Sequence, residues 1–170
     1  LEQTSRYRER RAEIAAWNEA SPVIKRGLAL TPVKFGISFT ATHYNQAGAL
    51  LHVYSDGTAL LNHGGTEMGQ GLFTKVRQVV AQELGLAPDR VRVTASDTSK
   101  VPNASPTAAS SGSDLNGMAA RDAARTVRGR LAAHAARMLG CEADAVEFRD
   151  GRAIGSDRSI PFAKLARAAY

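Results

Sequence analysis

Residues 63–71 read His-Gly-Gly-Thr-Glu-Met-Gly-Gln-Gly, and no other stretch constrains the fold as strongly. Gly64, Gly65, Gly69 and Gly71 place four glycines in eight positions. Glycine is costly to order, so such a cluster marks positive φ angles or a backbone that something approaches closely. The run continues into a patterned helix, whose first N–H groups and positive dipole end suit an anionic ligand. A plain glycine-rich turn from strand to helix accounts for the composition equally well.

The flanking elements follow from periodicity. Residues 49–54 alternate as a strand, Asp56-Gly57 is a hairpin turn, and residues 58–62 return. Leu72, Val76, Val79, Val80 and Leu84 share one face of a helix over 72–84, and Gly85 caps it. Lys75, Arg77, Gln78, Gln82 and Glu83 take its solvated face. Residues 90–95 form a strand with Val91 and Val93 inward. Residues 97–113 lack periodicity, carry Pro102 and Pro106, and are expected to be functional or disordered. A second helix covers 114–139, capped by Ser113 or Asp114, with Leu115, Met118, Val127, Leu131 and Met138 as core filler and alanines allowing close packing. A hairpin around Asp150-Gly151 joins 146–148 to 152–154. Ser159 caps a last helix with Phe162, Leu165 and Ala169 on one face.

At the other end, Thr4 or Ser5 caps a helix running to Asn18 that turns Ile14 and Trp17 inward. Residues 23–42 read as strand material, bent at Pro32 and Gly36, with Leu28, Leu30, Ile37 and Phe39 alternating. The fold class is α+β: a mixed or antiparallel sheet with two long helices packed on it. The 170 residues form a single domain, divided into a leading helix (1–20), a loop-bearing core (21–139) and a C-terminal hairpin and helix (140–170).

The net charge of +6 is concentrated in Arg6–Arg11 and Arg121–Arg137, which read as solvated helix faces. No basic stretch interleaves with aromatics, so a nucleic-acid partner is not expected. Cys141 is the only cysteine. It rules out an internal disulfide or a thiolate cluster built by this chain alone, and fits a reducing, cytoplasmic compartment. No stretch is long and apolar enough for a membrane span. His52 and His63 lack metal-site spacing and read as structural.

Three motifs in order carry a resemblance: residues 31–39 (TPVKFGISF) leading to 45–49 (NQAGA), residues 63–71, and residues 101–110 (VPNASPTAAS). The chain resembles the molybdenum-cofactor-binding subunit of the xanthine dehydrogenase and aldehyde oxidase family. Within it, the nearest likeness is to the large subunit of bacterial xanthine dehydrogenases, of which this would be a fragment. The resemblance implies a molybdenum–molybdopterin cofactor held by Met68, Gly69, Gln70, Ala109, Ser110, Gly112 and Ser113. It also implies a flat purine beside Ala108 and Ala109. Gly112 departs from the hydroxyl residue often found there. The implied reaction hydroxylates a heteroaromatic carbon with oxygen from water. Its carboxylate base has no counterpart here, Glu67 reading as structural, so the fragment alone is expected to be inactive and to carry no catalytic residue or metal ligand. The remainder of the large subunit and a partner carrying FAD and 2Fe-2S clusters are implied. Aldehyde oxidation or another heteroaromatic hydroxylation is the alternative within the family. A phosphate- or nucleotide-binding module, or an interaction module, is the alternative outside it. The loop has neither the lysine of an NTPase phosphate loop nor G-x-G-x-x-G spacing.

Overall fold

A computed structural model describes residues 1–37, 39–100 and 103–170. It resolves into two compact units, Leu1–Gly36 and Ile37–Tyr170. The first holds helix α1 (Tyr7–Ala20), followed by a stretch without regular structure. The second holds strands β1 (Ala49–Val53) and β2 (Ala59–His63), helix α2 (Leu72–Leu84), strand β3 (Val91–Val93) and helix α3 (Gly112–Leu139). Strands β4 (Glu147–Arg149), β5 (Arg152–Ile154) and β6 (Ser159–Pro161) and helix α4 (Phe162–Ala169) complete it. The α+β class holds, but the strands form two three-stranded sheets among the described residues instead of one.

The first sheet positions everything that follows. β1 pairs antiparallel with β2, placing Leu51 opposite Leu61, and β2 pairs parallel with β3, placing Leu61 opposite Val93. Parallel neighbours need a crossover, and α2 supplies it. Ala59, Leu61 and Val91 are buried, as are Leu72, Val76, Val80 and Leu84 of α2. α3 lies against both α2 and β1.

Glu83 of α2 meets Arg121 of α3 at 3.0 Å and Arg125 at 3.4 Å. The buried face of α3 is made of small residues: Gly117, Ala120, Ala124, Ala135 and Ala136, with Leu131 and Leu139. The alanines thus do the packing expected of the larger side chains. Met118 is 51% exposed and is not core filler. The second sheet is antiparallel throughout, and the expected hairpin is its β4–β5 pair.

Several local expectations are corrected. α1 buries no residue; Trp17 is 41% exposed and stacks under the Arg26 guanidinium at 3.5 Å. The Thr4 and Ser5 hydroxyls donate to the carbonyls of Leu1 and Glu2 instead of capping α1. Among the described residues of 23–42 there is no strand, and Thr42–Tyr44 is a 3₁₀ turn; Ser38 lies outside them. Alternation alone does not make a strand without a backbone to pair with, and no described residue supplies one. β3 is shorter than 90–95, since Pro88–Arg90 closes as a 3₁₀ turn first. Ser159 sits in β6, Pro161 caps α4, and Ala166 replaces Ala169 on its buried face.

The second sheet abuts the end of α2 at Gly85 (φ +64). A Cβ there would stand 2.3 Å from the Phe148 carbonyl carbon and 2.4 Å from its oxygen. Gly85→Ala is therefore expected to lower the stability of the intact protein by about 2–4 kcal/mol through overpacking and left-handed strain. Gly129→Ala, on α3 with nothing within 4 Å, is expected to raise it by about 1 kcal/mol. Paired denaturant titrations check both signs.

Candidate functional site

Because β2 and β3 run parallel, their C-terminal ends lie at one edge of the sheet. The chain leaves β2 through 64–71 into α2, and leaves β3 through 94–111 into α3. Ligands of open α/β sheets bind at this edge. Several bonds join the two loops. The Thr66 N–H donates to Thr107 Oγ1 at 2.8 Å. The Ser96 hydroxyl donates to the Gly65 carbonyl at 2.9 Å. The second loop is pinned again where the Ser105 N–H donates to the Gln46 carbonyl at 2.9 Å and the Gln46 N–H donates to Ser105 Oγ at 3.2 Å.

Two cavities flank the second loop. The first, a cleft of about 330 Å³, is lined by Met68, Gln70, Leu72, Lys75, Thr107, Ala108, Ser110, Gly112 and Ser113. It gathers both loops and the first turns of both long helices. The second, a slot of about 410 Å³, is lined by Phe39, Tyr44, Asn45, Gln46, Pro106, Ala108, Ala109 and their neighbours, none of them charged. Gln70 and Ser110, 40 positions apart, therefore face one cleft. Ala108 borders both cavities, Ala109 borders the slot, and Gly69 borders neither. Ala109 and Ser110 have φ angles of 52° and 57°. Consecutive left-handed non-glycine residues cost about 1–2 kcal/mol each, a strain that collects at ligand sites.

The two helix N-termini differ. At α2 the Glu67 carboxylate fills the end: Oε1 accepts the N–H groups of Gly69 (2.8 Å) and Gly71 (3.0 Å), and Oε2 accepts that of Phe73 (3.0 Å). These bonds, from Phe73 and Gly71 foremost, hold the carboxyl below its ordinary pKa. Glu67 is thus structural, as expected, but the N–H groups of α2 are not left free for an anion. At α3 the cap is Ser111, and neither it nor Ser113 or Asp114 makes a side-chain cap bond. The α3 end, beside Ser113, Ser110 and Lys75, is the open one. Lys75 escaped the sequence reading because helical spacing placed it on the solvated face.

The Gln70 amide also turns inward on its own loop, accepting from the Met68 N–H at 2.6 Å and donating to the Thr66 carbonyl at 2.9 Å. A Cβ at Gly112 would meet the Thr107 methyl at 3.2 Å, so a side chain there would press on the residue that ties the loops together.

Behind the loops, Gly65 is held on every side. A Cβ there would stand 2.6 Å from Leu72 Cδ2 and 2.8 Å from Asn116 Nδ2, which only glycine avoids. Its N–H donates to His63 Nδ1 at 3.1 Å. His63 is 1% exposed and packs edge-on against Phe73, ring centroids 5.3 Å apart.

A profile of the molybdopterin cofactor-binding domain matches residues 1–170. The chain belongs to that family. Xanthine dehydrogenase of Drosophila subobscura is 56% identical over 128 residues, 75% of this chain and 10% of that protein. Xanthine dehydrogenase/oxidase of Mus musculus is 50% identical over 128 residues, with the same coverage. Nicotinate hydroxylase of Emericella nidulans is 56% identical over 126 residues, 74% of this chain and 9% of that protein. Among solved structures, the Cu,Mo-CO dehydrogenase is 25% identical with a TM-score of 0.67, over 74% of this chain and 16% of that one. Quinoline 2-oxidoreductase from Pseudomonas putida 86, 22% identical with a TM-score of 0.67, shares the fold. The chain spans about a tenth of the length of the curated relatives it matches.

Burial pushes the His63 imidazole below its ordinary value of 6.5. The folded molybdopterin-binding domain holds it neutral, which Nδ1 needs in order to accept from Gly65. The unfolded chain takes up that proton near 6.5, so the stability His63 contributes is complete above that pH and falls away below it. Backbone exchange over 63–66, corrected for its intrinsic pH dependence, is expected to rise between pH 6.5 and 5 in the full-length protein. His63→Gln is expected to remove that step.

Proposed function

We propose that this chain supplies two walls of the molybdopterin site of a xanthine dehydrogenase-like hydroxylase acting on purines. The observation that carries the reading is the shared cleft, in which Met68, Gln70, Ser110, Gly112 and Ser113 converge from two loops. The donor set fits an anionic phosphorylated pterin. It combines the Ser110 and Ser113 hydroxyls, the Lys75 ammonium and the uncapped first turn of α3. Met68 borders the cleft, Gly69 lies beside it on the same arc, and Ala109 borders the slot on the other side of the loop. When bound, the cofactor supplies the redox chemistry that hydroxylates a heteroaromatic carbon with oxygen from water.

The chain's own residues bind, orient and shield. Ala108 separates cleft from slot, and its methyl group leaves room for a flat ring. The slot offers that ring the apolar walls of Phe39, Tyr44 and Pro106. No charged side chain lines it, so ring substituents are not read by charge from this side. That feature, with a nicotinate hydroxylase as similar as a xanthine dehydrogenase, favours a second reading: hydroxylation of another nitrogen heterocycle, chosen by residues outside the chain. The catalytic carboxylate, FAD and 2Fe-2S clusters fall to the rest of the large subunit and its partner. The single Cys141 cannot hold a cluster. No helix among the described residues is long and apolar enough to cross a membrane; a cytoplasmic enzyme is the location proposed.

In the full-length protein, Gln70→Ala opens two loop bonds and removes a cleft wall. It is expected to lower molybdenum per subunit several-fold, by a loss of about 1–3 kcal/mol. Gln78→Ala, on the exposed face of α2, is expected to leave it unchanged. Molybdenum analysis of equally folded variants decides; equal metal in Gln70→Ala removes Gln70 from the site. Ala104→Phe, which fills the slot and spares the cleft, is expected to keep molybdenum but raise KM for xanthine at least tenfold.

A further inference from the structure

The arc 66–71 closes on itself. Glu67 accepts from Gly69, Gly71 and Phe73, and Gln70 bonds to Met68 and Thr66. The side chains of Glu67 and Gln70 are thus spent on backbone groups that a cofactor would otherwise have to satisfy. We propose that Glu67 is a positioning residue: a resident anion at the α2 N-terminus that fixes the Met68–Gly69–Gln70 arc before any cofactor binds and turns the cofactor's anionic end toward Lys75 and α3.

The inference rests on the molybdopterin reading above and adds a direction to it. A carboxylate accepting three N–H groups cancels the partial charge of a helix end. A second anion there would face the carboxylate and find its donors taken. α3 carries Asp114 in its first turn, but that side chain does not border the cleft, and the Ser111 cap makes no side-chain bond to the helix end. Lys75 borders the cleft beside it, and no acidic side chain among the described residues lies within 4 Å of its ammonium. The cleft is therefore polarised by construction, with one end closed by an internal anion and the other open to an external one. Glutamine has the right length but would turn an NH₂ toward backbone donors, so the arc requires the ionised acid and not merely its shape.

Three full-length proteins test this: wild type, Glu67→Gln and Glu67→Asp. Each is read for molybdenum and pterin content, and, in the cofactor-free form, for amide exchange over 68–71 and over 76–84. Glu67→Gln is expected to speed exchange at 68–71 at least tenfold, leave 76–84 at the wild-type rate, and cut molybdenum at least threefold. Glu67→Asp, which keeps the charge on a shorter arm, is expected to restore part of both losses. Should Glu67→Gln not accumulate, Glu67→Asp carries the comparison alone, with faster exchange at 68–71 over an unchanged 76–84. Wild-type exchange at 68–71 overturns the proposal. Equal loosening of 76–84 overturns it too, since Glu67 would then be only a helix cap, and so does full molybdenum loading of Glu67→Gln. Wild-type protein without molybdopterin would instead overturn the family reading, while the exchange comparison would still report on the arc.

Discussion

The parallel pairing of β2 with β3 is the constraint on which the site depends. Two parallel strands must be joined by a crossover, and they deliver their outgoing loops to the same edge. Here the crossover is α2, so one loop leads into α2 and the other, after β3, into α3. Had β3 paired antiparallel, the second loop would have left at the far end of the sheet, and Gln70 and Ser110 would not share a cleft. The rest of the fold supports that arrangement. α3 packs along α2, Glu83 links them through Arg121, and the second sheet abuts the end of α2 at Gly85.

Once the loops are side by side, their polar groups decide what they can receive. Buried or ordered backbone donors must go somewhere. In the first loop they go to Glu67, Gln70 and, across the gap, Thr107, and in the second they go to Gln46 and the turn before α3. The walls of the cleft are therefore finished surfaces. What remains open is the first turn of α3, two serine hydroxyls and one lysine, a set suited to a phosphorylated ligand.

Much of this was legible in the sequence, and the limits have physical causes. Strong local signals transferred directly: the Asp56-Gly57 hairpin, the α2 stripe of Leu72, Val76, Val80 and Leu84, and the glycine cap at 85. The three motifs gave the family because long ordered matches are specific. Signals that depend on a partner did not transfer. Residues 23–42 alternate like a strand, but alternation says nothing about which backbone pairs with it. Met118 has the apolar character of a core residue, yet the seam it was assigned to is made of alanines. Lys75 lies on a face that is solvated in an isolated helix and becomes a cleft wall only when α3 comes alongside. Glu67 was recognised as structural, but the number and identity of its N–H partners depend on a left-handed turn at Gly71 that composition does not fix.

The alanine seam of α3 reaches beyond packing. α2 and α3 begin at the two lips of the cleft, so the gap between those lips is inherited from the distance between helix axes. The buried face of α3 behind those lips is made of small residues, among them Ala120 and Ala124, both fully buried and neither bordering the cleft. Methyl groups one to three turns away thus act as shims. An added methylene at 120 or 124 would prise the lips apart, and a glycine would let them draw together, with every contacting residue unchanged. The calibre of the pterin cleft is written in residues that never meet the pterin, and relatives could diverge there in what they admit while their loops stay identical.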